Sequence, residues 1–327
     1  MEKKSQVTYT ENSKGIVGSF KNFFSGYSVI VVTVIIFIVA AIFQGSSFLS
    51  GTNLINILRN NAVLGILALG MAFVIIVGEI DLSVGSELVA VAAICLGVLN
   101  ATGNVVLAVI IAIACAIGFS AGMGVIIAKG SVPSFVVTLG FMYIFRSVCQ
   151  YFMDGGGFYS NVESFSKISN TQLGPVPLPI IYLAIVFAVY LYISKYTKTG
   201  RHIYAVGSNA RAAKLSGISV NKVKILAFVI MGASVGIAAV IEASRMNSIN
   251  ASSSGNSYEM YAIAMAVIGG VSMKGGRGKI LCVLFGIFIL AIVNNFLNLM
   301  GVSAFLVNAI KGAIIIVAVL LQKKDRI

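Results

Sequence analysis

Long apolar runs separated by short polar segments dominate the chain. No charged residue occurs at positions 27–58 or 88–128. A helix needs about 20 apolar residues to cross a hydrocarbon core of about 30 Å, so runs of this length predict membrane spans, some of them paired. The runs lack the alternation of barrel strands, and a helix satisfies its own backbone groups in lipid. The pattern therefore predicts an all-α integral membrane protein.

Charged residues and clusters of Gly, Pro, Ser and Asn divide the apolar sequence into about ten candidate spans. The third and eighth are short, which indicates broken helices that line a cavity or are buried in protein. We therefore expect an N-terminal tail (1–26), a transmembrane domain (27–321) with a long cytoplasmic loop (about 195–222), and a C-terminal tail (322–327). The ten spans are 27–43, 54–77, 86–99, 104–128, 132–152, 177–194, 223–243, 258–271, 280–297 and 304–321.

The distribution of charged residues along the chain indicates its membrane topology. Only 10% of the 327 residues are charged and 58% are hydrophobic, whereas soluble domains carry about a quarter charged residues. With a cytoplasmic N-terminus and ten crossings, most of the 23 basic residues fall on the cytoplasmic side, as the positive-inside rule requires. The net charge of +13 is therefore a topology signal and does not indicate nucleic-acid binding. Both termini are predicted to be cytoplasmic, and the first apolar run is an uncleaved anchor.

Catalytic constellations are missing from the sequence. His202 is the single histidine, and the four cysteines have no metal-ligand spacing. The segment GGVSMKGGRGK resembles a phosphate-binding loop, but Met273 stands where the leading glycine is needed and Ile280 where Ser or Thr is needed. We expect a chain that is not an enzyme and holds no cofactor or metal. If ATP drives its activity, another polypeptide hydrolyses it.

The stretch GEIDLSVGS places acidic residues between two long apolar runs, with Glu87 directly after it. A charge at the centre of a span costs ~2.5–3.5 kcal/mol, but the predicted topology puts this stretch near the cytoplasmic end. Asp81 with Ser83 fits the N-cap of the next helix. The glycines permit the tight backbone of an interrupted helix that lines a path. The candidate residues for a helix break or translocation path are Gly78, Glu79, Asp81, Ser83, Gly85 and Glu87.

Within the cytoplasmic loop, NARAAKLSG at 209–217 predicts a helix of about two turns that ends at glycine. This segment resembles the coupling helix of permease subunits of ATP-binding-cassette importers, which follows a Glu-Ala-Ala-x-x-x-Gly theme. Arg211 replaces the acidic residue of that theme. The resemblance assigns the contact with the ATPase to Arg211, Ala212, Ala213, Lys214 and Gly217.

Four further stretches resemble the branch of that family that imports ribose, xylose, galactose and related monosaccharides. They cover much of positions 48–321 and occur in the family's order. They are TNLINILRNNAVLGILALGMAFVIIVGEIDLSVGS (52–86), TGRHIYAVGSNARAAKLSGI (199–218), AIAMAVIGGVSMKGGRGKI (262–280) and NNFLNLMGVSAFLVNAIKGAIIIVAVLL (294–321).

The resemblance implies an assembly in the bacterial plasma (inner) membrane. It comprises two permease protomers, identical or related, two nucleotide-binding ATPase subunits that use ATP and Mg, and an extracytoplasmic sugar-binding protein. Glu79 and Glu87 depart from the family, which usually has glycine and an apolar residue there. Either they pair with a basic residue, or they adjust the path for a different substrate.

Polar residues inside other spans have two interpretations each. Asn294, Asn295 and Asn298 either hydrogen-bond across helices or offer polar contacts to a sugar. Arg59, Arg146 and Lys311 are expected to snorkel or to pair with a carboxylate. The spacings Gly118-x-x-x-Gly122 and Gly232-x-x-x-Gly236 fit close helix packing.

Alternatives to a monosaccharide importer remain at this point. Within the same class, the solute could be a nucleoside, an autoinducer or a branched-chain amino acid, since the binding protein sets most of the selectivity. A second class is an ion-coupled secondary transporter that uses Glu79, Asp81 or Glu87 as a proton or cation site. Dependence of uptake on added ATPase and binding protein distinguishes the two classes.

Overall fold

The structure, a computed structural model, describes residues 16–324 of the chain. Helices account for most of this part, and four short strands lie in its loops. The helices are α1 (Ile16–Leu49), α2 (Gly51–Ile76), α3 (Val84–Thr102), α4 (Val105–Gly130), α5 (Ser134–Phe152), α6 (Glu163–Asn170), α7 (Leu178–Tyr196), α8 (Lys198–Ser208), α9 (Ala210–Leu215), α10 (Val220–Met246), α11 (Tyr258–Ile268), α12 (Ile280–Leu299) and α13 (Ala304–Lys324). The strands are β1 (Gly157–Tyr159), β2 (Gln172–Leu173), β3 (Val176–Pro177) and β4 (Ser248–Asn250).

In the described part of the chain, 8 helices are long and apolar enough to cross a membrane. They are α1 to α5, α7, α10 and α12. Two shorter apolar helices, Tyr258–Ile268 and Phe305–Ile314, correspond to the eighth and tenth predicted spans. The prediction of an all-α, multi-pass membrane protein is therefore confirmed.

Helix boundaries differ from the predicted spans in two places. The predicted first span is 27–43, whereas α1 begins at Ile16 and continues to Leu49, through Gly45, which has a positive φ of 52°. The prediction that the third span is short is wrong: α3 has 19 residues, because it starts at Val84 and ends at Thr102, after which Gly103 has a positive φ of 66°. The eighth span is short as predicted, with 11 residues in α11.

Four helices form the centre of the bundle. In α2, 83% of the span is buried inside the protein, and the fractions are 67% for α3 and α10 and 56% for α12. By contrast, α1, α4, α5 and α7 bury only 17–22% and turn their apolar side chains outward, as lipid-facing helices do. A helix that is apolar all round, such as α2, is stable in this central position.

One of the two predicted small-residue spacings brings helices together. A Cβ on Gly232 would lie 2.6 Å from the carbonyl oxygen of Ala116, and a Cβ on Gly236 would lie 2.8 Å from the Cα of Ile113. These glycines let α10 pack directly on the backbone of α4, its largest partner. Gly118 and Gly122 have open space around them, so this spacing on α4 serves no such contact.

The long loop between α5 and α7 is folded and packs on α10. Its strand β1 pairs antiparallel with β4, which follows α10, with Phe158 opposite Ile249. Strands β2 and β3 form a small hairpin just before α7. Helix α6 inserts the fully buried Phe165 against the bundle. The predicted topology places this layer on the extracytoplasmic side.

Candidate functional site

The stretch between α2 and α3 interrupts two central helices, as predicted. Helix α2 ends at Ile76, and Gly78 has φ +94°, a conformation that glycine adopts without steric cost. The chain then runs without helical structure until α3 begins at Val84. We call positions 77–83 the helix break. Most of its residues are buried, so its polar groups must find partners within the protein.

Three backbone segments meet at the end of the helix break that follows α2. The amide of Gly276 donates to the carbonyl oxygen of Ile76 at 2.8 Å. A Cβ on Gly207 would overlap the same oxygen, and a Cβ on Gly276 would lie 2.5 Å from the Cα of Ser208. Only glycine fits at such distances. The turn 269–279, predicted as a short cytoplasmic turn, is thus packed against α2 and α8.

Glu79 has a basic partner. Its Oε1 lies 2.5 Å from Nζ of Lys224, near the start of α10. The side chain of Glu79 is only 10% exposed, whereas that of Lys224 is 26% exposed. The first of the two interpretations of Glu79, pairing with a basic residue, is therefore observed.

Asp81 does not cap α3 directly, which corrects the predicted N-cap. Ser83 holds the N-cap position, and its side chain makes no capping hydrogen bond. Instead, Oδ1 of Asp81 accepts from the amide of Ser83 at 2.9 Å and from its hydroxyl at 2.6 Å. Asp81 and Ser83 are both fully buried. The carboxylate therefore fixes the conformation of the residue that precedes the helix.

Glu87 lies in the first turn of α3 and is fully buried. Its carboxylate accepts a hydrogen bond from the hydroxyl of Ser120 on α4, at 2.9 Å to Oε1 and 3.1 Å to Oε2. Within the described residues it forms no ion pair. The interpretation that Glu87 pairs with a basic residue is therefore wrong. The position in the first turn places its charge near the positive end of the helix dipole.

The first turns of α3 and α11 meet beside these carboxylates. A Cβ on Gly85 would overlap the carbonyl oxygen of Gly255 and lie 2.8 Å from Oε2 of Glu259. Arg146 on α5 holds the segment before α11, since its Nη1 donates to the carbonyl oxygens of Ala251 and Ser254, both at 2.8 Å. The interpretation of Arg146 as a carboxylate partner is thus replaced by a contact to backbone.

Sequence reasoning missed Glu259. It stands at the second position of an apolar helix, after the polar stretch ASSSGNS, and this pattern resembles the polar turn before α3. A glutamate directly after a polar break is a signal that could have singled it out. Its proximity to Gly85 could not be read from the chain, because 174 positions separate the two.

The predicted cytoplasmic helix is α9, Ala210–Leu215. The side chain of Asn209 caps it by accepting from the amide of Ala212 at 3.0 Å, and Gly217 follows it with φ +81°. Arg211, Ala212, Lys214 and Gly217 are exposed, and Leu215 is 87% exposed. Ala213 departs from the prediction, because it is buried against the protein and cannot face a partner.

A further short helix, α8, supports α9 and was not predicted. Ile203 and Val206 of α8 are buried, and the hydroxyl of Tyr204 donates to the carbonyl oxygen of Gly278 at 3.0 Å. Burial raises the pKa of Tyr204 above its ordinary value, so the phenol stays protonated and keeps donating. Helix α8 thereby connects α9 to the turn 269–279 and to the end of α2.

The three asparagines of α12 do not act as a group. Asn295 exchanges two hydrogen bonds with Asn53 of α2, Nδ2 to Oδ1 at 2.8 Å and 3.1 Å. This is a contact between helices, the first of the two interpretations. Asn294 is half-buried and Asn298 is exposed near the end of α12.

The remaining basic residues of the spans have polar or aromatic neighbours. Arg59 donates to the side chain of Asn170 at 3.0 Å. The Nζ of Lys311 lies 4.7 Å from the ring centre of Tyr261. In the described part of the chain neither forms an ion pair, so pairing with a carboxylate is not observed for them.

Comparison with known proteins defines the class. Residues 53–319 match the family model described as "Branched-chain amino acid transport system / permease component". The match covers most of the chain, so the protein belongs to this permease family. It is a multi-pass protein of the inner membrane, and its family supplies the membrane component of transport systems.

The names of individual relatives specify the sugar that those proteins transport. The "Ribose import permease protein RbsC" of Escherichia coli (strain K12) is 38% identical over 303 residues, which are 91% of this chain and 94% of the relative. The protein of the same name in Haemophilus influenzae is 40% identical over 299 residues, 90% of this chain and 91% of the relative. The "L-arabinose transport system permease protein AraH" of Escherichia coli (strain K12) is 32% identical over 305 residues, 93% of this chain and 92% of the relative. No solved structure matches.

Proposed function

We propose that this chain is the membrane-spanning subunit of an ATP-driven importer and forms the path for a monosaccharide, ribose or a related sugar. Relatives named as ribose import permeases, 38–40% identical over about nine tenths of the chain, support this substrate class. A relative named for L-arabinose transport, 32% identical, extends the range to other pentoses.

The exposed helix α9 is the observation that carries the proposal. It leaves Ala212, Lys214 and Leu215 exposed on a short helix that is capped at its start by Asn209. A single exposed leucine is ordinary on a protein surface, so the proposal rests on the place of Leu215 beside Lys214 in the segment that resembles a coupling helix. We propose that the nucleotide-binding subunit docks here, with Arg211 and Lys214 as the basic rim of the contact.

Motion at α9 has a direct route to the centre of the bundle. Helix α9 packs on α8, and α8 touches the end of α2 where Gly207 meets the carbonyl oxygen of Ile76. The helix break begins one residue later, and α3 follows it. Displacement of α8 by a closing ATPase would thus act on the junction of two central helices.

The remaining parts of the proposed assembly follow from this role. ATP and Mg are bound by the partner ATPase, and this chain holds no cofactor. The extracytoplasmic sugar-binding protein docks on the layer formed by α6 and the strand pair of β1 and β4. A second permease protomer completes the path, and lipid surrounds the outward-facing helices.

Reconstitution tests the proposal. The chain is placed in liposomes with its nucleotide-binding and sugar-binding partners, and uptake of labelled ribose, xylose, arabinose and galactose is measured, with a nucleoside and leucine for comparison. We expect uptake of one or more sugars only when ATP and both partners are present. Import of leucine or a nucleoside instead would change the substrate class. Uptake by the lone chain under an ion gradient would overturn the class itself.

Gly217→Asp tests the docking role. Gly217 has φ +81°, and no atom lies within 4 Å of the point where a Cβ would stand, so a side chain there points into the proposed interface. We expect the carboxylate to abolish ATP-dependent uptake while insertion into the membrane is normal. Gly217→Asn is the matched control, since asparagine tolerates this backbone conformation and adds no charge. Normal uptake by Gly217→Asp would refute the docking role.

A further inference from the structure

Three carboxylates gather where the first turns of α3 and α11 meet. Asp81 lies in the helix break, Glu87 lies in the first turn of α3, and Glu259 lies in the first turn of α11. Gly85 stands in the same first turn as Glu87, and a Cβ there would lie 2.8 Å from Oε2 of Glu259. Arg146 holds the segment before α11 through the carbonyl oxygens of Ala251 and Ser254. We call Asp81, Glu87, Glu259 and Arg146 the acidic junction. Its carboxylates outnumber its guanidinium by three to one.

Glu259 is the member of the acidic junction that is open to an approaching molecule. Its side chain is half-buried, whereas Asp81 and Glu87 are fully buried. In the described part of the chain, Glu259 forms no ion pair and no side-chain hydrogen bond with another residue. A carboxylate in an apolar helix faces the bundle interior or a water-filled cavity, because exposure to lipid is costly. Glu259 therefore keeps unused acceptor capacity beside the first turn of α3.

Asp81 supplies a second and independent sign that a donor is missing. Its Oδ1 has two partners, both from Ser83, but its Oδ2 is buried without any hydrogen-bond partner. Buried polar atoms are nearly always satisfied, and an orphan calls for an explanation. Asp81 lies three residues before α3, whose first turn carries Glu87 and meets the start of α11, so the orphan belongs to the same cluster.

The chemistry of the junction selects the kind of ligand. A carboxylate accepts hydrogen bonds and a guanidinium donates them, a combination that suits vicinal hydroxyl groups. A metal ion is disfavoured, because no three acidic, histidine or cysteine side chains in residues 16–324 have the spacing to hold one. An anionic solute would be repelled by the excess of carboxylates.

We propose that the acidic junction is a contact site for hydroxyl groups in the path, with Glu259 as the first acceptor and Arg146 as the donor beside it. Asp81 is fully buried and lies on the α3 side of the same junction. This inference rests on the proposed function, since it names where a neutral polyhydroxylated solute is held during passage. Glu259 and Arg146 are then residues that determine specificity, in addition to the external binding protein.

The proposed contact site is tested by measuring sugar uptake by the reconstituted complex that carries Glu259→Gln. The probes are the sugar that the wild-type complex imports and its deoxy analogues, each lacking one hydroxyl. Loss of one charge-assisted hydrogen bond predicts uptake of the parent sugar reduced about ten- to a hundred-fold. The same variant should lose discrimination against one deoxy analogue. ATP hydrolysis stimulated by the binding protein should stay at the wild-type rate, which a general folding defect would not allow.

Glu242→Gln is the matched control, because Glu242 is a half-buried carboxylate that already has Arg245 and Tyr258 as partners. Equal effects of the two variants, or unchanged uptake and discrimination in Glu259→Gln, would overturn the contact site. The wild-type arm reports the proposed function separately. Wild-type import of leucine would overturn both proposals, whereas wild-type sugar import with an unaffected Glu259→Gln would overturn only this one.

Discussion

The buried acidic residues at the two ends of the helix break have different kinds of partner. At the end next to α2, Glu79 is paired with Lys224 at 2.5 Å, and three backbone segments are in close contact around Ile76. At the end next to α3, Asp81 and Glu87 accept hydrogen bonds, within the described residues, from the hydroxyls of Ser83 and Ser120 and from one amide. The carboxylate at the first end has a cationic partner, and those at the second end have none in the part of the chain that the structure describes.

This difference separates structural from functional use of charge. A paired carboxylate near the surface of the bundle costs little to retain. Carboxylates buried without a cation are expensive, and residues of this kind in membrane spans mark a path or a switch by default. We therefore expect substitutions at the end next to α2 to change the stability of the protein. Substitutions at the end next to α3 should change transport.

Gly207→Ala should have the largest effect on stability. Its Cβ would overlap the carbonyl oxygen of Ile76, so α8 and α2 must move apart. Overpacking of this kind costs ~1–3 kcal/mol or more. Gly118→Ala is the control, since nothing lies near that position. Thermal unfolding in detergent measures both, and equal midpoints would show that the contact at Gly207 is dispensable.

Lys224→Ala should have an intermediate effect, because it leaves the carboxylate of Glu79 buried without its partner. We expect a loss of ~1–3 kcal/mol in unfolding free energy. The double variant Glu79→Gln with Lys224→Ala removes the orphaned charge and should recover most of that loss. If the double variant is as unstable as the single one, Lys224 does not stabilise the protein by compensating the charge of Glu79.

Glu87→Gln should have the smallest effect on stability, and in the opposite direction. Glutamine keeps an acceptor for Ser120 and removes a buried charge, so the unfolding free energy should be unchanged or raised by up to about 1 kcal/mol. The same thermal unfolding assay applies, with uptake measured in parallel. A clear loss of stability would mean that folding requires the carboxylate of Glu87.

Much of the fold follows from local sequence. Run lengths predict the spans, the positions of lysine and arginine predict their direction, and Gly78 and Gly217 mark ends of helices with φ of +94° and +81°. Helix α8 escapes prediction because KTGRHIYAVGS mixes charged and apolar residues without span length, and its buried residues become visible only against the bundle. The burial of Ala213 could not be predicted for the same reason. Periodicity identifies the faces of a short helix, but it does not show which face packs against the rest of the protein.

The sequence predicts the positions of site residues but not their partners. By itself it predicted a multi-pass helical membrane protein, an interruption between two spans and a short helix that ends at glycine, because hydrophobic run length, charge asymmetry and glycine conformation act over a few residues. The permease class came from the resemblance of its motifs to a known family. Only the tertiary structure decided that Glu79 meets Lys224, that Glu87 meets Ser120, and that Glu259 lies beside Gly85. These contacts join distant parts of the chain, and helix packing alone brings them together.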